Sequence, residues 1–267
     1  MKKLNIIASL TLLLSLIVAC NKNKELTIID PKKPSCSFKY SSWTSCSSGL
    51  QIRTFTSSPS DCSGTPPADS IQRTCVILSS VKIGNQTWTN TNLDVSNYRN
   101  GDPILQVQDP SEWSNITTGA WCYYNNNTAN GTTYGKLYNW FAVSDSRGLA
   151  PNGYHIPTDA EWTTLTTYLG GLSLSGGNMK ETGILPAGHW QTPNTGATNT
   201  SGFTALPGGW RFSNGSFTSL GKYGYWWSSS ESNFSFAWYR SLNYNNSNVT
   251  SYFDNEVFGF SVRCLRD

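Results

Sequence analysis

Four cysteines, Cys36, Cys46, Cys62 and Cys75, fall within forty residues of one another. A segment of that length cannot bury enough apolar surface to fold without covalent or metal staples. No CxxC pair occurs, and the two histidines, His155 and His189, stand apart from the cysteines, so disulfides are expected and zinc is not. Four cysteines permit three pairings, which spacing does not separate. The chain is thus predicted to carry a small stapled β module at residues 36–75 and one larger domain at residues 76–267, which is within single-domain size.

Disulfides imply an oxidising compartment, and the N-terminus agrees. Met1-Lys2-Lys3 precedes an apolar run from Leu4 to Val18, a basic n-region and an h-region. The run is short for a bilayer span. It ends at Ile17-Val18-Ala19-Cys20, which resembles the lipobox of bacterial lipoproteins. That resemblance implies a signal peptide at residues 1–19 and lipid attachment at the Cys20 sulfur. Residues 20–35, polar and containing Pro31 and Pro34, read as the anchor and its tether. Two or more acyl chains give stable anchoring, so the membrane is a tether and the expected location is the cell envelope, leaning to the outer membrane, with periplasmic or surface orientation open. Removal of Lys2 and Lys3 lowers the formal charge from +3 to +1. A near-neutral chain presents no basic face, and nucleic acid is not expected as a partner.

Residues 36–75 resemble a thrombospondin type 1 repeat. The matching residues are Tyr40-Ser41-Ser42-Trp43-Thr44-Ser45-Cys46, then Gly49, Gln51 and Arg53, then Gln72-Arg73-Thr74-Cys75. In that family tryptophans stack between arginines of a neighbouring strand, so the resemblance implies a cation–π stack of Trp43, Arg53 and Arg73. Two of the family's cysteines are missing, Tyr40 replaces a tryptophan, and Phe55 stands where a second arginine is expected.

In the larger domain, Thr158-Asp159-Ala160-Glu161 is a capping box, and Trp162, Leu165 and Leu169 follow on one helical face until Gly170-Gly171. A second helix is predicted over residues 134–144, with Leu137, Trp140 and Phe141 inward. Phe236, Trp238 and Leu242 share one face of a strand. Phe258, Phe260, Val262 and Cys264 alternate with Gly259, Ser261 and Arg263, which predicts a half-buried strand. Helices early and strands late define an α+β class.

Val81-Lys82-Ile83-Gly84-Asn85-Gln86-Thr87-Trp88, Asn92-Leu93-Asp94 and Gly101-Asp102-Pro103-Ile104 open a long series of ordered motifs. Trp121-Cys122-Tyr123-Tyr124, Tyr134-Gly135-Lys136-Leu137-Tyr138-Asn139-Trp140 and Gly153-Tyr154-His155-Ile156-Pro157-Thr158 continue it, and Gly259-Phe260-Ser261-Val262-Arg263-Cys264 ends it. Over residues 81–267 the chain resembles the Fibrobacter succinogenes major paralogous domain of lipoproteins and secreted proteins, a family that brings no established activity with it. Pro157–Trp162 and the terminal motif are also similar to blocks of formylglycine-generating enzymes, which implies a C-type-lectin-like fold. That fold would bring the two ends of the domain together, and with it comes the expectation of a Cys122–Cys264 disulfide.

The reactive cysteine pair of formylglycine-generating enzymes has no counterpart between Trp238 and Phe253. HExxH, GxSxG and P-loop patterns are also missing. No catalytic residue and no cofactor is therefore expected, although Asp94, Asp102, Glu231, Asp254 and Glu256 are acids from which a hydrolytic pair could be drawn. No metal motif is visible; carbonyl ligands leave no mark in a sequence, so calcium stays open. The run from Trp226-Trp227 to Asn243-Tyr244-Asn245-Asn246 is dense in rings and amides, a composition suited to recognition. It resembles the variable segment of retroelement-diversified receptors. Trp227, Tyr239, Tyr244, Asn245 and Asn246 are the expected ligand face, for a glycan or a protein. The alternative is a structural envelope component in which those rings are core.

Overall fold

A computed structural model describes residues 37–41, 50–58, 72–74 and 78–267. The expectations for residues 1–19, Cys20, Cys36, Trp43, Cys46, Cys62 and Cys75 lie outside the described residues.

In the small module, β1 (Ser37–Tyr40) pairs antiparallel with β3 (Phe55–Ser58), and β2 (Leu50–Ile52) pairs antiparallel with β4 (Gln72–Thr74). Arg53 lies 4.1 Å over the Tyr40 ring, and Phe55 meets Phe38 edge-on at 5.6 Å. Arg73 lies on β4 opposite Gln51.

The main domain is α+β, rich in strands, with short helices. β5 (Ser80–Ile83) and β6 (Gln86–Thr89) turn tightly on each other, with Gly84 at φ 59° in the turn. β6 pairs with β16 (Leu265–Arg266), which also receives β10 (Tyr154–His155), so the beginning and end of the domain share one sheet. A second sheet holds β7 (Leu105–Gln106), β8 (Ala120–Cys122) and β9 (Leu137–Tyr138). The largest sheet has the order β12-β11-β13-β14-β15, built from β11 (Gly208–Arg211), β12 (Phe217–Leu220), β13 (Tyr223–Asn233), β14 (Phe236–Asn243) and β15 (Val249–Asn255).

The expected first helix is present as α4 (Asp159–Tyr168), following α1 (Pro110–Ser114), α2 (Thr128–Tyr134) and α3 (Trp140–Val143). Both halves of its capping box form: the Thr158 hydroxyl accepts from the Glu161 N–H, and the Glu161 carboxylate accepts from the Thr158 N–H. Trp162 and Leu165 are buried against Trp88, Trp190 and Phe203, a contact worth several kcal/mol by apolar area. Gly170 and Gly171, at φ 98° and 86°, carry the chain away from the helix.

The helix predicted over residues 134–144 is divided. Gly135 adopts φ 71°, where a side chain would be strained, and Leu137 and Tyr138 then form a strand against β8. The predicted terminal strand also differs. Residues 259–265 are buried on both sides, and they bridge in turn to Arg211, Tyr138 and Trp226 rather than edging one sheet. Alternating apolar and small polar residues mislead here because Ser261 and Arg263 find partners in the interior.

The expected Cys122–Cys264 disulfide is not formed. Both are buried free thiols. Cys122 packs with Val107, Trp113, Ala120, Tyr124 and Leu137, whereas Cys264 belongs to the central core around Tyr138 and Phe260. Burial pushes both thiols up to about 12. The ends of the domain are joined noncovalently instead: the Cys264 N–H donates to the Thr89 hydroxyl at 3.0 Å, and the Thr89 N–H donates to the Cys264 carbonyl at 2.9 Å.

Long connections are held by buried cations. Among the described residues Lys136, Lys180, Arg211, Arg240 and Arg263 are at most 2% exposed. Lys180 Nζ donates to the carbonyls of Thr195, Asn243 and Asn246 at 2.8–3.0 Å. Arg211 donates to those of Val107, Gln108 and Gly215, and its guanidinium lies 4.4 Å over the Trp113 ring. Arg240 pairs with Asp159 and so fastens the N-terminus of α4 to β14. Loop carbonyls that no strand satisfies must find a donor when buried, and a long cationic side chain reaches several at once.

Candidate ligand face

β13 lies between β11 and β14, and both of its faces are packed: Trp226 and Trp227 point to opposite faces and each is 0% exposed. Tyr223, Tyr225 and Trp227 alternate onto one face. Cross-strand register extends this face in rows: Tyr225 opposite Ser241 opposite Thr250, then Trp227 opposite Tyr239 opposite Tyr252, then Glu231 opposite Ala237 opposite Asp254. Trp226, Leu242 and Val249 take the other face and pack with Trp162 and Phe203 beneath α4.

Two of the five expected ligand residues are therefore core. Trp227 is 0% exposed, its indole N–H donates to the Tyr138 carbonyl at 2.8 Å, and its ring lies 4.3 Å from Phe260. The Tyr239 ring is packed among Tyr225, Trp227 and Phe260. Tyr244 packs partly buried against the cluster beneath α4. Asn245 and Asn246 belong to the turn from β14 to β15, where the Asn243 and Asn246 side chains accept from the N–H groups of Asn245 and Asn248. Those amides shape the hairpin, and Lys180 seals it from below. The five residues do not form one surface.

What the sheet does present is a strip of rings at the border of the core. Trp210 on β11 contacts Tyr225 at 4.1 Å and Tyr223 at 6.0 Å; Tyr225 stacks on Phe260 at 5.0 Å and reaches Tyr239 at 5.5 Å. Phe212 and Phe258, both half-buried, adjoin it 5.8 Å apart. Tyr252 stands at the far edge, 55% exposed. Tyr225 and Tyr239 are each 8% exposed. Their hydroxyls have no hydrogen-bond partner among the described residues, and they are not among the enclosed polar atoms. Each ring is thus held by the core while its oxygen is not fully enclosed. Burial, with the nearby Asp254 carboxylate adding to it, pushes the Tyr239 phenol up to about 12 and raises that of Tyr225. Asp254 is itself raised by burial, against a stabilising hydrogen bond from the Asn255 N–H. Glu256 is raised by burial and by the neighbouring Glu231.

The other acids are committed elsewhere. Asp94 pairs with Lys136, and Asp102 with Arg147. Glu231, Asp254 and Glu256 have no ion pair among the described residues. Period-two spacing along 223–227 and 252–254 marks Tyr223, Tyr225 and Tyr252 beside the expected Trp227 and the candidate acid Asp254. Residue composition marks Trp227, Tyr239 and the turn residues Tyr244, Asn245 and Asn246, and misses Tyr225 and Tyr252.

A second polar site surrounds His155. Its Nδ1 lies 2.8 Å from Asp267 Oδ1 and its Nε2 lies 3.0 Å from Glu161 Oε1. A cavity of about 440 Å³ on one side is lined by Gln86, Glu161 and Arg266, and one of about 340 Å³ on the other by Arg99, Leu149 and Ser229. With a carboxylate at each nitrogen, the ring donates twice only as the imidazolium. Burial lowers its pKa, but the hydrogen bonds to Asp267 and Glu161 outweigh it and the net shift is upward. Among the described residues no group of three or more His, Cys, Asp or Glu is placed to hold a metal, and no helix is long and apolar enough to cross a membrane.

An α+β domain closed on itself by its terminal motif, with motif residues Asn92, Lys136 and Arg263 as internal fasteners, defines the class. Residues 81–266 match the family model of the Fibrobacter succinogenes major domain, and the chain belongs to that family. No curated protein and no solved structure matches the chain.

Proposed function

We propose that this chain is a lipid-anchored cell-envelope binding protein, tethered through Cys20, whose main domain binds its ligand along the ring strip from Trp210 to Tyr252. The observation that carries the reading is the pair Tyr225 and Tyr239: rings more than nine-tenths buried whose hydroxyls have no hydrogen-bond partner among the described residues and are not fully enclosed. Hydroxyls on rings fixed by a core are preorganised for hydrogen bonds, and the 55% exposed Tyr252 ring beside them offers contact area at low entropic cost. A glycan, with apolar ring faces and many hydroxyls, suits such a strip. A C-type-lectin-like arrangement of the domain and a stapled thrombospondin-like stalk fit this reading.

The test is a glycan and polysaccharide array with the full chain, run with calcium and with chelator. Reproducible binding lost in Tyr252→Ala is the expected result; a blank array counts against the reading. Cys20→Ser should release the protein from the membrane fraction, and protease shaving of whole cells distinguishes surface from periplasmic orientation. The burial of Trp226 and Trp227 favours a second reading, a structural envelope component without soluble ligand.

A further inference from the structure

The ring strip ends on uncompensated negative charge. Asp254 lies one register row from the Tyr239–Tyr252 pair, on the same face, with Glu231 across Ala237 at about 10 Å by strand spacing. Among the described residues none of Glu231, Asp254 and Glu256 meets a cation, although five other cations are drawn into the interior to meet carbonyls and acids. A half-buried carboxylate is costly unless something pairs with it. The Tyr225 and Tyr239 oxygens have no hydrogen-bond partner among the described residues, and ring faces attract organic cations.

We infer that the strip selects an amine-bearing sugar, a glucosamine unit with its amino group free, with the ammonium held at Asp254 and the sugar hydroxyls at Tyr225 and Tyr239. This rests on the strip being the ligand face. Glu231 and Glu256 add to the negative field without being required to touch the ligand. The same charge disfavours acidic polysaccharides.

Calorimetric titration of the full chain with three soluble oligosaccharides of equal length tests it: β-1,4-glucosamine, β-1,4-N-acetylglucosamine and β-1,4-glucose. Binding of the glucosamine oligomer about tenfold tighter than the other two is expected, as is loss of that preference in Asp254→Asn with the neutral sugars unchanged. Thermal unfolding checks that the variant is folded; if it is not, the exposed Glu231→Gln replaces it, with a smaller reduction expected. Equal binding of all three overturns the charge selection and leaves the ligand face standing. A preference that survives in both variants overturns the role of Asp254. No binding of any sugar by folded protein overturns the selection and the glycan reading together.

Discussion

Arg263 donates through Nε to Asn92 Oδ1 at 2.7 Å, across 171 residues of chain. The same Asn92 oxygen accepts from the Trp226 indole at 2.9 Å, while its amide nitrogen donates to the Tyr134 carbonyl. Arg263 in turn reaches the carbonyls of Thr89, Phe203 and Thr204 and lies 4.5 Å over the Phe203 ring. Burial lowers its pKa to about 9, so it stays charged at neutral pH. One side chain thus joins the first motif, the long loop before β11 and the terminal motif. Removing one partner of a buried charged network typically costs about 3–5 kcal/mol. Arg263→Ala and Asn92→Leu should each lower the urea midpoint strongly, and the double variant should cost less than the two added together. Additive losses would show that the two residues act separately.

The His155 bridge sets a pH window. Its folded pKa is raised above 6.5, so its contribution is fully present below that value and fades as pH climbs through the folded pKa. Glu161 behaves oppositely. Burial raises its pKa, but the Thr158 and His155 contacts outweigh this and leave it below 4.5, so its contribution is present above 4.5 and lost in more acid solution. Thermal stability should therefore be highest between those values. His155→Gln should flatten the decline on the alkaline side and leave most of the acid side in place. An unchanged profile would remove His155 from the account.

Cys122 and Cys264 should behave as enclosed thiols. Native protein should resist alkylation at both, and unfolded, unreduced protein should label both, as read by peptide mass mapping. Thiols pushed up to about 12 are poor nucleophiles even when reached. Recovery of a peptide linking the two cysteines would contradict the fold as described.

Trp227 and Tyr252 lie next but one in the same register row and should respond in opposite ways. Trp227→Ala removes a fully buried ring and should cost about 3–5 kcal/mol. Tyr252→Ala, at an exposed edge, should change stability by about 0.5 kcal/mol or less and act on ligand binding alone. Denaturation midpoints of the two variants separate a core ring from a contact ring.

What could be read in advance follows the range of the forces involved. The capping box at Thr158 and Glu161 is local, and α4 begins where it indicates. The helix across 134–144 failed because Gly135 and the pairing of Leu137 with Cys122 decide that segment, and the pairing is tertiary. The cationic fasteners were invisible for the same reason: Arg211 meets Val107 across 104 residues, and nothing near Arg211 announces it. Trp226 and Trp227 are consecutive and face opposite sides of β13, and both are buried because one side packs on Trp162 and Phe203 and the other on Tyr138 and Phe260. Composition could not tell that pair from an exposed one.

The most direct test of the ligand face removes two oxygen atoms and nothing else. Tyr225→Phe with Tyr239→Phe keeps both rings in the core and deletes two hydroxyls that have no hydrogen-bond partner among the described residues, so the fold should be retained. On a polysaccharide panel the account predicts that the double variant unfolds at the same denaturant concentration as the parent and binds about tenfold more weakly. Binding equal to the parent's would mean that the hydroxyls face solvent without a ligand, and the assignment of this strip would be wrong.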